Sequence, residues 1–176
     1  NRLQAQIFWL KNTLNQYYFL LFTRIYGLQT VAIRYFNVFG PRQHPSSPYS
    51  GVLSLFIKCA LSGTAPTIFG DGEQTRDFTF VDDVVDGVLR AVDAPGAAGE
   101  VINVATGVSV SLNRAWATLE SILGRLQSPV FAAARAGDVY ASEADIGKAE
   151  RLLGFRPRVT FEEGLRRTVD WARSTL

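Results

Sequence analysis

From Phe69 to Asp83 the chain reads Phe-Gly-Asp-Gly-Glu-Gln-Thr-Arg-Asp-Phe-Thr-Phe-Val-Asp-Asp, and no other stretch constrains the fold as tightly. A short apolar run, Pro66 to Phe69, has the length of a strand and meets a Gly-Asp-Gly turn. An alternating run, Phe78 to Val81, follows, and a helix opens behind two aspartates. Gly70 and Gly72 allow positive φ and close approach to a ligand. Arg76 stands just past the turn, where a planar guanidinium can meet a phosphate with two parallel hydrogen bonds. Asp82 or Asp83 is suited to cap a helix over Val84 to Val92. Local chemistry leaves two readings open: a ligand-binding turn, or a tight hairpin carrying a surface Arg76–Asp77 pair.

The rest of the chain alternates strand and helix patterns, which indicates an α/β architecture. Leu3 to Tyr26 contains no Gly or Pro, and Ile7, Leu10, Leu14, Tyr17, Leu21 and Ile25 recur at helical spacing. Phe8, Trp9, Tyr18, Phe19 and Phe22 widen its apolar face, so this helix calls for two partners, and Gly27 closes it. Thr30 to Phe36 reads as a strand and Asn37 to Ser50 as a polar, Pro-rich loop. Helices are expected over Val52 to Leu61, Ser111 or Asn113 to Leu123, Asp145 to Leu153, and from a Thr160 cap to Trp171. Short strands are expected at Glu100 to Val104 and Pro129 to Ala132.

Three segments together resemble one family: Tyr35-Phe36-Asn37-Val38-Phe39-Gly40-Pro41-Arg42-Gln43, Gly70 to Phe78, and Val81-Asp82-Asp83. They look like the NAD-dependent epimerase/dehydratases, the extended short-chain dehydrogenase-like enzymes, with the nearest likeness to the UDP-glucose 4-epimerase type. The resemblance runs from about Tyr17 to Trp171 and corresponds to the later half of such an enzyme. It implies an incomplete Rossmann-like, doubly wound sheet portion joined to the small α/β substrate lobe. Residues 1–50 would be the remnant of the dinucleotide-binding domain and 51–176 the sugar-nucleotide lobe.

The resemblance also assigns roles. Asn37 would contact a UDP-sugar, and Phe36 would lie beside the nicotinamide of NAD. The backbone of the strand holding Ile68 and Phe69 would meet the uracil. Arg76 would pair with the diphosphate, Arg135 of Arg135-Ala136-Gly137-Asp138 would reach a phosphate, and Asp138 a ribose hydroxyl. Read on their own residues, Asn37 could instead satisfy its own turn, and Gly137-Asp138 could be an ordinary turn. Tyr140 departs from the family, many members of which carry a basic residue just after this Asp.

The chemistry of such enzymes needs a Tyr-x-x-x-Lys pair, in which a neighbouring cation lowers the pKa of a tyrosine base. Four residues before Lys11, Lys58 and Lys148 stand Ile7, Ser54 and Ala144. The family positions fall near Phe8 and Asn12. No Gly-x-Gly-x-x-Gly or Gly-x-x-Gly-x-x-Gly loop occurs. No catalytic residue is therefore assigned, and the chain alone is expected neither to hold NAD nor to epimerise a sugar. The segment before Tyr17 departs from the family, as a truncated, fused or frame-shifted reading frame would.

Composition sets the remaining bounds. The chain has 176 residues, 47% hydrophobic and 19% charged, which suits one globular unit. A net charge of +2 argues against nucleic acid or an anionic membrane as partner. One cysteine, Cys59, excludes an intrachain disulfide; it reads as a small apolar filler, and a cytoplasmic setting is expected. No apolar run reaches the about 18 residues of a membrane span, and no leader pattern opens the chain. His44 has no acidic or thiol neighbour and is read as solvated, so no metal is expected. The aromatic first helix points to homo-oligomerisation. Three functions follow from these readings: the substrate-binding portion of a nucleotide-sugar epimerase, a non-catalytic dimerising or regulatory module, or a nucleotide-sugar dehydratase or reductase relative.

Overall fold

A computed structural model describes the backbone of residues 2–43 and 51–175, with side chains from residue 14 onward within those spans. His44 and the end of the Pro-rich loop, and the side chains of Phe8, Trp9, Lys11 and Asn12, lie outside the described residues.

Helix α1 spans Arg2–Tyr26 and ends where Gly27, at φ 67°, donates its N–H to Thr23 O. Strand β1, Ala32–Tyr35, then runs parallel to β6, Val101–Val104. After β2, Val38–Phe39, helix α2 covers Val52–Leu61. The central stretch supplies β3, Thr67–Phe69; β4, Thr75–Asp77; and β5, Thr79–Phe80, which pairs parallel with β2. Helix α3, Val81–Asp93, leads to β6. Strand β7, Ser109–Ser111, pairs antiparallel with β4 and feeds α4, Leu112–Leu123. Strand β8, Val130–Ala132, runs parallel to β3, and α5, Gly147–Leu153, and α6, Phe161–Thr175, complete the chain. Three parallel pairs and one antiparallel pair among the described residues give the α/β class with a parallel-sheet portion.

The central stretch is not a hairpin. Strand β4 pairs with β7, more than thirty residues downstream in register, and not with its sequence neighbours β3 and β5. The two aspartates are not caps either. Helix α3 starts at Val81 behind Phe80, which makes no side-chain cap bond, so Asp82 and Asp83 fall inside the first turn. There they favour the positive end of the helix dipole. Asp83 is buried and accepts from the backbone N–H groups of Arg158 and Val159 at 2.9 and 3.1 Å, tying the approach to α6 onto α3. Asp82 is exposed and meets Arg167 at 3.7 Å. The two expected serine and threonine caps do form: Ser111 Oγ accepts from Arg114 N, and Thr160 Oγ1 from Glu163 N, both at 3.2 Å.

Two apolar clusters hold the molecule. One gathers Phe39, Phe56, Ile68, Phe80, Trp116 and Leu165 from β2, β3, β5, α2, α4 and α6. Edge-to-face contacts order it, with Phe39–Phe80 ring centres 5.6 Å apart and Phe56–Trp116 5.4 Å apart. The second lies under β1 and β6, where Ile102, Val104, Leu153 and Phe155 close against α3 and α5. Each draws on residues from both sides of position 50, Phe39 in the first and Val31 and Ile33 in the second. Cys59 packs, partly buried, against the first cluster.

Helix α1 is held to this body by polar contacts. Thr30 Oγ1 donates to Phe19 O at 2.8 Å, and Arg34 meets Gln16 Oε1 through two guanidinium nitrogens at 2.6 and 3.1 Å. Its apolar side chains are largely uncovered: Tyr17 is 65% exposed, Tyr18 58% and Ile25 61%.

Candidate functional site

The Gly70–Gln74 turn is built on the N-terminus of α4. Asp71 Oδ1 accepts from Glu73 N at 2.9 Å, an Asx turn that fixes the tip. Asn113 donates through Nδ2 to Asp71 O at 3.0 Å and to Glu73 Oε1 at 2.6 Å, and its own N–H reaches Gly72 O. Its amide lies so close to Gly72, which sits at φ 80°, that a β-carbon there would overlap it. Beneath the turn, buried Gln74 donates through Nε2 to Phe69 O, joining the start of β4 to the end of β3.

Parallel pairing decides which groups of β3 face outward. Val130 N donates to Pro66 O and Gly70 N to Ala132 O. By alternation the Ile68 backbone is committed to β8, and its side chain is 1% exposed in the core. The backbone groups of Thr67 and Phe69 face the opposite edge, so a ligand at that edge meets Phe69 and not Ile68.

Of the expected site residues, Arg135 contacts β3 directly. Beyond β8, Arg135 lays its guanidinium carbon 3.6 Å from the Phe69 ring centre. Gly137, at φ 90°, turns the chain, with Asp138 N donating to Arg135 O at 3.3 Å and Asp138 itself exposed. Residues 140–142 then run along β4: Thr75 N donates to Tyr140 O at 2.8 Å, and Ser142 N to Thr75 O at 3.2 Å. Next along β4 lies Arg76, half-buried, with Nη1 donating to Thr75 O at 2.7 Å. Arg76 does not pair with Asp77. Asn37, at φ 22°, donates from Nδ2 to Asp77 O at 3.2 Å and accepts from Thr79 N at 3.3 Å, so it ties β1's outlet to β4 and β5 and not to its own turn. Phe36 is half-buried and lines, with Gln16, Phe19, Arg34, Asn37 and Ser142, a cavity of about 1080 Å³ between α1, β1 and α3.

Four residues contribute in ways the sequence expectation did not assign. Asp77 is fully buried and accepts from Thr106 N and Oγ1, Gly107 N and Ala144 N. It thereby pins β4, the Thr106-Gly107 turn and the segment leaving Tyr140 to one carboxylate. Gln74 and Asn113 shape the turn as described. Tyr140 places its hydroxyl 3.4 Å from Asp71 Oδ2, and the Asp71 charge, with help from burial, that contact and Glu73, raises its phenol above the ordinary value. A lone Asp inside an Arg-Asp-Phe run was the available signal for the buried carboxylate.

A family model described as the NAD dependent epimerase/dehydratase family matches residues 13–105. That is more than half of the chain. The chain belongs to the NAD-dependent epimerase/dehydratase family. A putative UDP-glucose 4-epimerase of Methanocaldococcus jannaschii is 38% identical over 157 residues, covering 89% of this chain and 50% of the relative. The solved UDP-glucose 4-epimerase of Thermotoga maritima with UDP-glucose superimposes at a TM-score of 0.86 and 41% identity, over 91% of this chain and 51% of that one. A UDP-glucuronic acid 4-epimerase of Bacillus cereus, in complex with UDP-glucuronic acid and NAD, gives 0.80 at 34% identity, over 89% and 49%. The chain thus spans about half the length of the epimerases it matches.

Among the described residues no clustered-glycine loop of the kind that cradles a dinucleotide pyrophosphate is found. A dinucleotide pyrophosphate needs clustered glycine N–H groups at a strand-to-helix junction. Here β5 passes into α3 and β7 into α4 with no glycine between, Gly40 and Gly51 stand apart between β2 and α2, and Gly70 and Gly72 join two strands. Among the described residues no group of three or more His, Cys, Asp or Glu is placed to hold a metal ion, and no helix is long and apolar enough to cross a membrane.

Proposed function

We propose that this chain is the nucleotide-sugar-binding portion of an NAD-dependent epimerase of the UDP-glucose 4-epimerase type, and that alone it neither holds NAD nor epimerises a sugar. The observation that carries the proposal is Arg135 stacked on Phe69 of β3, with Arg76 on the adjoining strand β4. The Gln74–Phe69 and Thr75–Tyr140 bonds hold both on one scaffold. The Phe69 backbone would meet the uracil, Arg76 and Arg135 the diphosphate, and Asp138 a ribose hydroxyl. Asn37, which lines the cavity, would contact the sugar nucleotide, and Phe36, which lines it too, is the residue that would lie beside a nicotinamide in a chain that holds one. Charge-assisted bonds from guanidinium to phosphate are worth about 1.5–3 kcal/mol each, enough for one residue to dominate affinity. Calorimetry with UDP tests this: binding to the wild-type chain that Arg76→Ala abolishes supports the reading, and no binding at millimolar UDP refutes it.

A second reading has its own observation. The uncovered aromatics of α1 favour a chain that also assembles through this helix, as a homodimer or larger. Residues 51–176 would supply most of the sugar-nucleotide lobe, and residues 1–50 the remnant of the cofactor half.

A further inference from the structure

We propose that the Phe69 ring is a rest for Arg135, holding its guanidinium in place for the diphosphate, so that Phe69 acts through its side chain as well as its backbone. The inference rests on the nucleotide reading above. Phe69 ends β3, and the backbone that carries its ring is fixed: Gln74 Nε2 holds its carbonyl, and Gly70 N is bonded to Ala132 O. Arg135 leaves β8 three residues after the strand ends, and its guanidinium carbon lies 3.6 Å from the ring centre, well inside the range of cation–π attraction. No ion pair to Arg135 forms among the described residues. Arg135 is otherwise exposed on the loop that Gly137 turns. A long side chain in that setting samples many rotamers, and ordering it on binding costs affinity. A ring that already orders it removes part of that cost while the guanidinium edge stays free to donate.

The stack and its consequence are separable by experiment. In the wild-type chain the Arg135 Nε–Hε resonance is shifted by the ring current of Phe69; Phe69→Leu abolishes that shift and Phe69→Tyr restores it. Phe69→Leu weakens UDP binding about threefold, the size expected of an exposed cation–π contact. In an Arg135→Ala background Phe69→Leu has no further effect on UDP, because the two residues act as one unit. An unmoved Arg135 resonance in Phe69→Leu, or a further loss of UDP binding from Phe69→Leu in the Arg135→Ala background, overturns the role of the ring while UDP binding itself stands. Absence of UDP binding to the wild-type chain overturns the nucleotide reading and this role with it.

Discussion

Thr106 Oγ1 donates to Asp77 Oδ1 at 2.6 Å across 29 residues of chain, and the Thr106 N–H reaches the same oxygen at 3.0 Å. Gly107 N and Ala144 N fill the other oxygen, so a fully buried carboxylate with no cationic partner among the described residues is satisfied by backbone and hydroxyl donors. Asp77→Asn keeps the shape and turns one acceptor into a donor facing donors. The expected cost is about 1.5–3 kcal/mol, read as a lower urea midpoint at unchanged slope. A change within a few tenths of a kcal/mol would contradict the role given to Asp77.

Gly164 lies inside α6, where alanine would ordinarily stabilise by about 1 kcal/mol. Here an added β-carbon would stand 2.8 Å from Phe80 Cδ2 and 2.9 Å from Phe39 Cζ, both rings of the main core. Rings packed edge to face cannot yield cheaply, so Gly164→Ala is expected to destabilise by about 1–3 kcal/mol in the same urea measurement. Stabilisation would show that the rings move aside.

Tyr140 gives a pH signature. Asp71, chiefly through its charge, disfavours the phenolate, so Tyr140 should titrate above the ordinary tyrosine value of about 10. A raised pKa means that the folded chain holds the proton longer than the unfolded one. The associated stability is present below the ordinary value and is lost as pH rises through the raised one. Asp71→Asn should bring the Tyr140 titration down, followed by its ring carbon resonance, and an unchanged midpoint would refute the Asp71–Tyr140 coupling.

Helix α1 predicts association. With Tyr17, Tyr18, Ile25 and Tyr26 exposed, sedimentation at micromolar concentration should show a dimer or larger species. Tyr18→Glu with Phe22→Glu should move it toward monomer, because burying those charges is costly. A clean wild-type monomer would remove α1 as an interface.

Local signals made much of the fold legible. Helix α1 follows from 24 residues without a breaker before Gly27, and α4 and α6 begin at the serine and threonine that cap them. What stayed hidden depends on distant partners. Strands β4 and β7, Thr-Arg-Asp and Ser-Val-Ser, carry almost no apolar pattern, and each is a strand because the other is there. Asp83 resembles a cap in sequence, yet its partners lie 75 and 76 residues away. The same holds at the site. Arg76 and Arg135 were visible as residues, but only the β3–β8 pairing brings Arg135 onto Phe69 and turns Ile68 inward.

The most direct test of the account is calorimetric titration of the purified chain with UDP and, separately, with NAD. The account predicts UDP binding and no NAD binding, a substrate lobe without its cofactor half. Binding of NAD would contradict that central claim, and binding of neither would contradict the nucleotide site.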